Sequence, residues 1–95
     1  MTEVRVADNP ERRRYEALVD GALAGYVFYR QREGELVLIH TEVGDEFEGQ
    51  GVGSRLAAGT LDDIRARGLR IRPVCPFIAG YIERHPEYGD LVAAA

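Results

Sequence analysis

The sequence predicts an α/β fold with a mixed sheet. An antiparallel four-stranded meander is followed by a helix, a parallel fifth strand and a C-terminal helix. Three observations carry this. Apolar residues alternate with polar ones through the first half of the chain. From about residue 51 to 67 they recur instead at helical spacing. A helix between the fourth and fifth strands then obliges those two strands to run parallel. The 95 residues leave room for one domain, 1–95. A 45% apolar and 29% charged composition predicts an ordered globular chain.

Val4 and Val6 sit in a short first strand, and Asn9-Pro10 marks the turn that ends it. Tyr15, Ala17 and Val19 alternate with Arg14, Glu16 and Leu18 in the second. Asp20-Gly21 is a hairpin signal, because both residues tolerate positive φ. The third strand covers roughly Leu23 to Arg30. Gly34 turns the chain into the fourth, roughly Glu35 to Val43. Leu36-Val37-Leu38-Ile39 is apolar on both faces, which places that strand centrally. Val52, Leu56, Ala57, Thr60, Leu61 and Ile64 then form one face of a helix, with Asp62, Arg65 and Ala66 opposite. Gly68 caps it. Leu69 to Val74 reads as a short strand. Pro76 opens a second helix that runs to about Arg84 and ends before Pro86. The Ala93-Ala94-Ala95 tail is expected to fray.

The net charge of −4 argues against a general polyanion binder, so no nucleic-acid partner is expected. Arg12-Arg13-Arg14 lies between Glu11 and Glu16 and reads as a solvated strand start. No apolar run reaches the ~20 residues of a membrane span, so no membrane partner is expected. The N-terminus lacks a signal-peptide pattern. The single cysteine, Cys75, excludes an intramolecular disulfide and fits a cytoplasmic protein. All 12 basic residues are arginine, so the protein has no lysine of its own to acylate.

Glu48-Gly49-Gln50-Gly51-Val52-Gly53-Ser54 lies between the fourth strand and the long helix. Alternate glycines allow close backbone approach. The first helical turn leaves N–H groups without intrahelical partners, and the helix dipole adds to them, which suits a pyrophosphate. Ser54 adds a hydroxyl and Arg55 a cation. The plainer reading is a turn that needs only turn residues. A P-loop is excluded, because no Gly-Lys-Ser/Thr occurs. The dinucleotide fingerprint also fails, because no N-terminal βα unit precedes the glycines.

These residues resemble the GNAT superfamily of acyl-CoA N-acyltransferases. Its Gln/Arg-x-x-Gly-x-Gly/Ala signature occupies the same slot, with Glu48 here in place of Gln or Arg. The likeness is greatest to the short, single-domain YjdJ-like members. Their pattern is similar to His40-Thr41-Glu42-Val43, the glycine turn, Pro73-Val74-Cys75-Pro76-Phe77 and His85-Pro86-Glu87-Tyr88, in that order. The resemblance implies a minimal GNAT-like fold and an N-acetyltransferase. Acetyl-CoA would be the acyl donor, and the amine acceptor stays unidentified. It implies CoA binding between splayed fourth and fifth strands. Thr41 to Val43 would pair with the pantetheine arm, and Glu48 to Arg55 would hold the pyrophosphate. The chain is too short for the two helices that larger members insert between their first two strands to wall the acceptor site. An open acceptor site, or one completed by a homodimer or another protein, follows. A non-catalytic CoA-binding or regulatory module is the alternative.

Cys75 precedes Pro76 at a predicted helix start, where a thiolate nucleophile is favoured; an inert core cysteine is the competing reading. Tyr81 matches a family tyrosine that protonates the leaving thiolate, and sheet packing is its alternative. His40 and Glu42 share a face of the fourth strand and are candidate bases for an ammonium acceptor. His85 reads as a cap. His40, Cys75 and His85 lack the spacing of a metal site, so no metal is expected. Tyr15, Tyr26, Phe28, Tyr29 and Phe77 read as sheet packing. Asp45, Glu46, Glu48 and the nearby Glu42 form an acidic stretch that would repel CoA's phosphates in part, attract a cationic amine or serve plain solvation.

Overall fold

Period-two alternation produces five strands: β1 (Val4–Asn9), β2 (Arg14–Val19), β3 (Ala22–Arg32), β4 (Glu35–Val43) and β5 (Arg70–Pro73). The structure, a computed structural model, describes residues 3–93. The strands form one sheet in sequential order, antiparallel from β1 to β4 and parallel between β4 and β5. Asp20 and Gly21 take φ values of 50° and 80°, as a tight hairpin requires.

Helix α1 (Val52–Ala66) crosses from β4 to β5, and α2 (Pro76–Arg84) follows β5. Gly68 lies at φ 70°, donating to the carbonyl of Arg65, while Leu69 donates to that of Ile64. That pair of bonds ends α1 and frees the chain for β5. Pro76 begins α2, where its missing N–H costs no bond. A 3-10 helix, Pro86–Leu91, continues beyond α2. Val92 then bridges Ile71, and Ala93 donates to the Ile71 carbonyl at 2.8 Å. Ala93 is therefore tied to the sheet rather than frayed; Ala94 and Ala95 lie outside the described residues.

One face of the sheet carries the core. Tyr15, Ala17, Val27, Tyr29, Leu36, Leu38 and Ile71 are buried with Leu56, Leu61 and Ile64 of α1 and Ile78 of α2. Gly59 lets α1 approach β1, for a Cβ there would meet Val6 at 2.6 Å. The opposite face is bare. Position β4 is interior, as its apolar run predicts, but Ile39 is 40% exposed and Val37 only half-buried. The run therefore marks an interior strand without a second covering layer.

Two irregularities set which side chains share a face. The β2–β3 register shifts at Ala17/Leu18, and the β3–β4 register at Phe28/Tyr29. Tyr29 lies opposite Leu38, yet Phe28 lies opposite His40, so Ile39 is an extra residue on β4. Beyond that bulge, Thr41 opposes buried Val27 on the helix side, while His40 and Glu42 turn to the bare side.

Candidate functional site

The β4–β5 ladder is short. It ends with Leu38 opposite Pro73, and Cys75 N–H adds a final bond to the Leu38 carbonyl at 2.9 Å. From Ile39 to Val43, β4 keeps β3 on one side and has no strand on the other. At the base of this opening, Cys75 Sγ and Thr41 Oγ1 lie 3.2 Å apart. Cys75 is the N-cap of α2 and is buried at 2% exposure.

Beyond β4, a 3-10 turn (Asp45–Phe47) leads into the glycines. Gly49 and Gly51 have φ values of 81° and 78°, and a Cβ at either would touch nothing. Their requirement is conformational. Gly51 is the N-cap of α1 and offers no side-chain cap. The N–H groups of Val52, Gly53 and Ser54 in the first turn consequently lack intrahelical acceptors. Gly53 differs, since a Cβ there would lie 2.9 Å from Phe77 Cζ. These elements enclose a cleft of about 260 Å³ lined by Val43, Phe47, Glu48, Gly51, Ser54 and Phe77, among others. Gln50 turns from the cleft and donates to the Glu46 carbonyl at 3.2 Å. Arg55 is exposed, and its N–H makes the first helical bond, to Gly51.

On the bare side, Tyr26 donates to Glu42 at 2.9 Å, and His40 Nε2 lies 3.3 Å from the other carboxylate oxygen. Tyr26 and then His40 hold the Glu42 carboxyl below the usual carboxylate range, and Glu42 raises the Tyr26 phenol.

Tyr81 lies apart from both groups. Its ring stacks on His85 at 4.0 Å and lies 6.1 Å from Tyr88, on the helix side. Burial, followed by the charges of Glu87 and Asp62, raises its phenol. Its hydroxyl has no hydrogen-bond partner among the described residues. His85 is the C-cap of α2, with Nδ1 2.9 Å from the Tyr81 carbonyl.

The arrangement thus joins Thr41 with Cys75, His40 with Glu42, and Val43 with the glycine turn. Sequence reasoning missed Tyr26 as a partner of Glu42 and assigned Phe77 to the sheet. Phe77 instead stands 39% exposed at the cleft, against Gly53. A strict hairpin count from Arg32 opposite Glu35 pairs Tyr26 with Thr41; the bulge moves it to Glu42. Among the described residues, no cluster of three or more His, Cys, Asp or Glu is placed to hold a metal ion. No described helix is long and apolar enough to cross a membrane.

Residues 14–91 match the family described as GCN5-related N-acetyl-transferase. Protein NATD1 of Mus musculus is 28% identical over 85 residues, covering 87% of this chain and 77% of that protein. The Homo sapiens protein of the same name is also 28% identical, with 87% and 75% covered. A GCN5-like protein from Staphylococcus aureus superposes with a TM-score of 0.71 at 24% identity, covering 100% of this chain and 93% of that one. The ribosomal-protein-S18-alanine N-acetyltransferase of Escherichia coli has a TM-score of 0.59 at 15% identity, with 75% and 64% covered.

Proposed function

Because the chain belongs to the GCN5-related N-acetyltransferase family, we propose that it transfers an acetyl group from acetyl-CoA to an amine acceptor. The observation that carries the reading is the early end of the β4–β5 ladder at Leu38 and Pro73, beside a helix start without a side-chain cap. A strand edge with free backbone groups suits an amide-containing arm. The N–H groups of Val52, Gly53 and Ser54 suit a pyrophosphate, and the cleft they line is open to one. Gly49, Gln50, Gly51 and Arg55 shape that turn, with Glu48 at its mouth.

Acetyl-CoA supplies a thioester, whose acyl carbon accepts an amine once that amine is neutral. On the bare face, Glu42 takes the ammonium proton, directly or through water, and His40 and Tyr26 orient it. As the C–N bond forms and the C–S bond breaks, Tyr81 gives its proton to the departing sulfur. A raised phenol remains protonated at neutral pH, as a proton donor must. Base and acid would act from opposite sides of the sheet, through the gap between β4 and β5. Thr41 and Cys75 border that gap. The burial of Cys75 and its contact with Thr41 favour a lining role over a nucleophilic one.

Thermal unfolding tests the donor site. Acetyl-CoA and CoA are expected to raise the midpoint and ATP is not, since binding to the native state stabilises it by roughly 2.7 kcal/mol at a hundredfold excess over Kd. No shift at saturation would remove the reading. With a competent amine, Tyr81→Phe is expected to slow CoA release by roughly 10²-fold or more and to leave the acetyl-CoA shift in place. A ligand shift without turnover on any amine would favour a CoA-binding module.

A further inference from the structure

We infer that the bare face of the sheet docks an acidic polypeptide segment, which carries the acceptor amine to the gap between β4 and β5. Two shallow depressions, of about 270 and 350 Å³, share Arg30 and Ile39 and form one continuous groove. Its walls are cationic and apolar: Arg12, Arg13, Arg30 and Arg32 surround Val37, Ile39 and Phe28. All four arginines are exposed. Among the described residues, none of the four has a carboxylate within ion-pair distance, whereas Arg14, Arg65, Arg67 and Arg72 are each paired. This cluster stands on a chain whose net charge is −4. A cluster of four unpaired cations therefore lies along the one sheet face that no helix covers.

The groove also has a direction. It reaches His40, whose ring nitrogen touches Glu42, and the exposed acids Asp45 and Glu46 follow. Cationic and anionic ends thus lie along one strand. From Val37, opposite Arg30, to Glu42 is about 16 Å at roughly 3.3 Å per residue. An extended segment with its ammonium beside Glu42 passes Arg30 some three to six residues later. Carboxylates at those positions meet unpaired guanidinium groups, and apolar side chains between them meet Ile39 and Phe28. A basic acceptor would meet four like charges instead, which selects against it.

What the segment carries rests on the acetyl-transfer reading; the docking itself is tested without it. The probe is a peptide with a free N-terminal amine, glutamates at positions four to six and a C-terminal fluorophore, followed by anisotropy. The glutamine version of the peptide is expected to bind at least tenfold more weakly. Arg30→Glu with Arg32→Glu is expected to weaken the acidic peptide by at least tenfold, as is Arg12→Glu with Arg13→Glu. Raising salt should weaken it too. The same acetyl-CoA-induced thermal shift in variants and parent would show that the fold survives. Binding of the glutamine peptide within twofold of the acidic one would overturn the inference. So would unchanged affinity in both paired variants, or tighter binding of a single-stranded oligonucleotide of equal charge. Peptide docking without any acetyl-CoA shift would instead remove the transfer reading and leave the docking surface.

Discussion

Gly51 holds φ 78° and ψ 12° at the start of α1, with nothing near the position of a Cβ. The need there is torsional, which is why the glycine turn was legible in the sequence. A β-branched residue in that region costs about 1–3 kcal/mol and turns the first amides of the helix. Gly51→Val is therefore expected to lower the unfolding midpoint and to abolish the acetyl-CoA shift, both read in one thermal melt. Gly53 obeys a different constraint, because Phe77 occupies the space its side chain would need. No local pattern announces that contact, since it joins two helices. Tyrosines supply the pH dependence at this scale. Burial, then the bond to Asp8, pushes Tyr29 up to about 12; burial, then the bond to Asp62, does the same for Tyr88. A raised folded-state pKa gives stability that is complete below the unfolded value near 10 and is lost as pH rises through 12. Urea midpoints are accordingly expected to be flat from pH 8 to 9.5 and to fall between pH 10 and 12. Tyr29→Phe should flatten part of that fall.

Between elements, α1 approaches β1 closely at Gly59. Alanine is ordinarily the better helix residue by about 1 kcal/mol, yet at position 59 its methyl would meet Val6 Cβ at 2.6 Å. Overpacking of that kind costs about 1–3 kcal/mol. Gly59→Ala is therefore expected to lower the chemical-denaturation midpoint, and Gly59→Ala with Val6→Ala to recover part of it. The C-terminal end of α1 is fastened differently. Arg67 pairs with Asp63 at 2.9 Å and Asp8 at 3.0 Å, while Tyr15 donates to Asp63 at 2.6 Å and Tyr29 to Asp8 at 2.7 Å. Tyr15 and Asp63 lie 48 residues apart, so local periodicity placed Tyr15 in the core without revealing what its hydroxyl meets. Element type and order were legible because Asp20-Gly21, Gly34, Gly68 and Pro76 punctuate a clear change of period. The bulge at Ile39 was not, for it carries neither glycine nor proline. The tether of Ala93 to Ile71 was hidden because an alanine tail offers no pattern to read.

On the scale of the whole molecule, the helices occupy one side of the sheet and the arginine groove the other. A four-residue connection, 10–13, joins β1 to β2, so no helix intervenes there to cover that groove. Face-to-face pairing of two copies would oppose Arg30 and Arg32 with their own kind, which disfavours a homodimer built on this surface. Sedimentation equilibrium is expected to give a monomer mass at low salt, unchanged by acetyl-CoA. A dimer there would show that another surface, or an anion between copies, overrides the repulsion.

The extra residue in β4 divides that strand into two reading frames. Up to Leu38, even-numbered positions face the core; from Thr41 onward, odd-numbered ones do. Tolerance to substitution along the strand should therefore slip phase once, with the side chains facing the helices at 36 and 38, then at 41 and 43. The same logic governs insertions and deletions. Removing Ile39 restores a regular ladder and leaves His40 and Glu42 on the bare side, whereas keeping Ile39 and pairing it with Phe28 would carry both to the helix side. The bulge thus absorbs one extra residue without disturbing the strand beyond it, and Ile39 deletion is expected to be tolerated better than deletion of any residue from His40 to Val43.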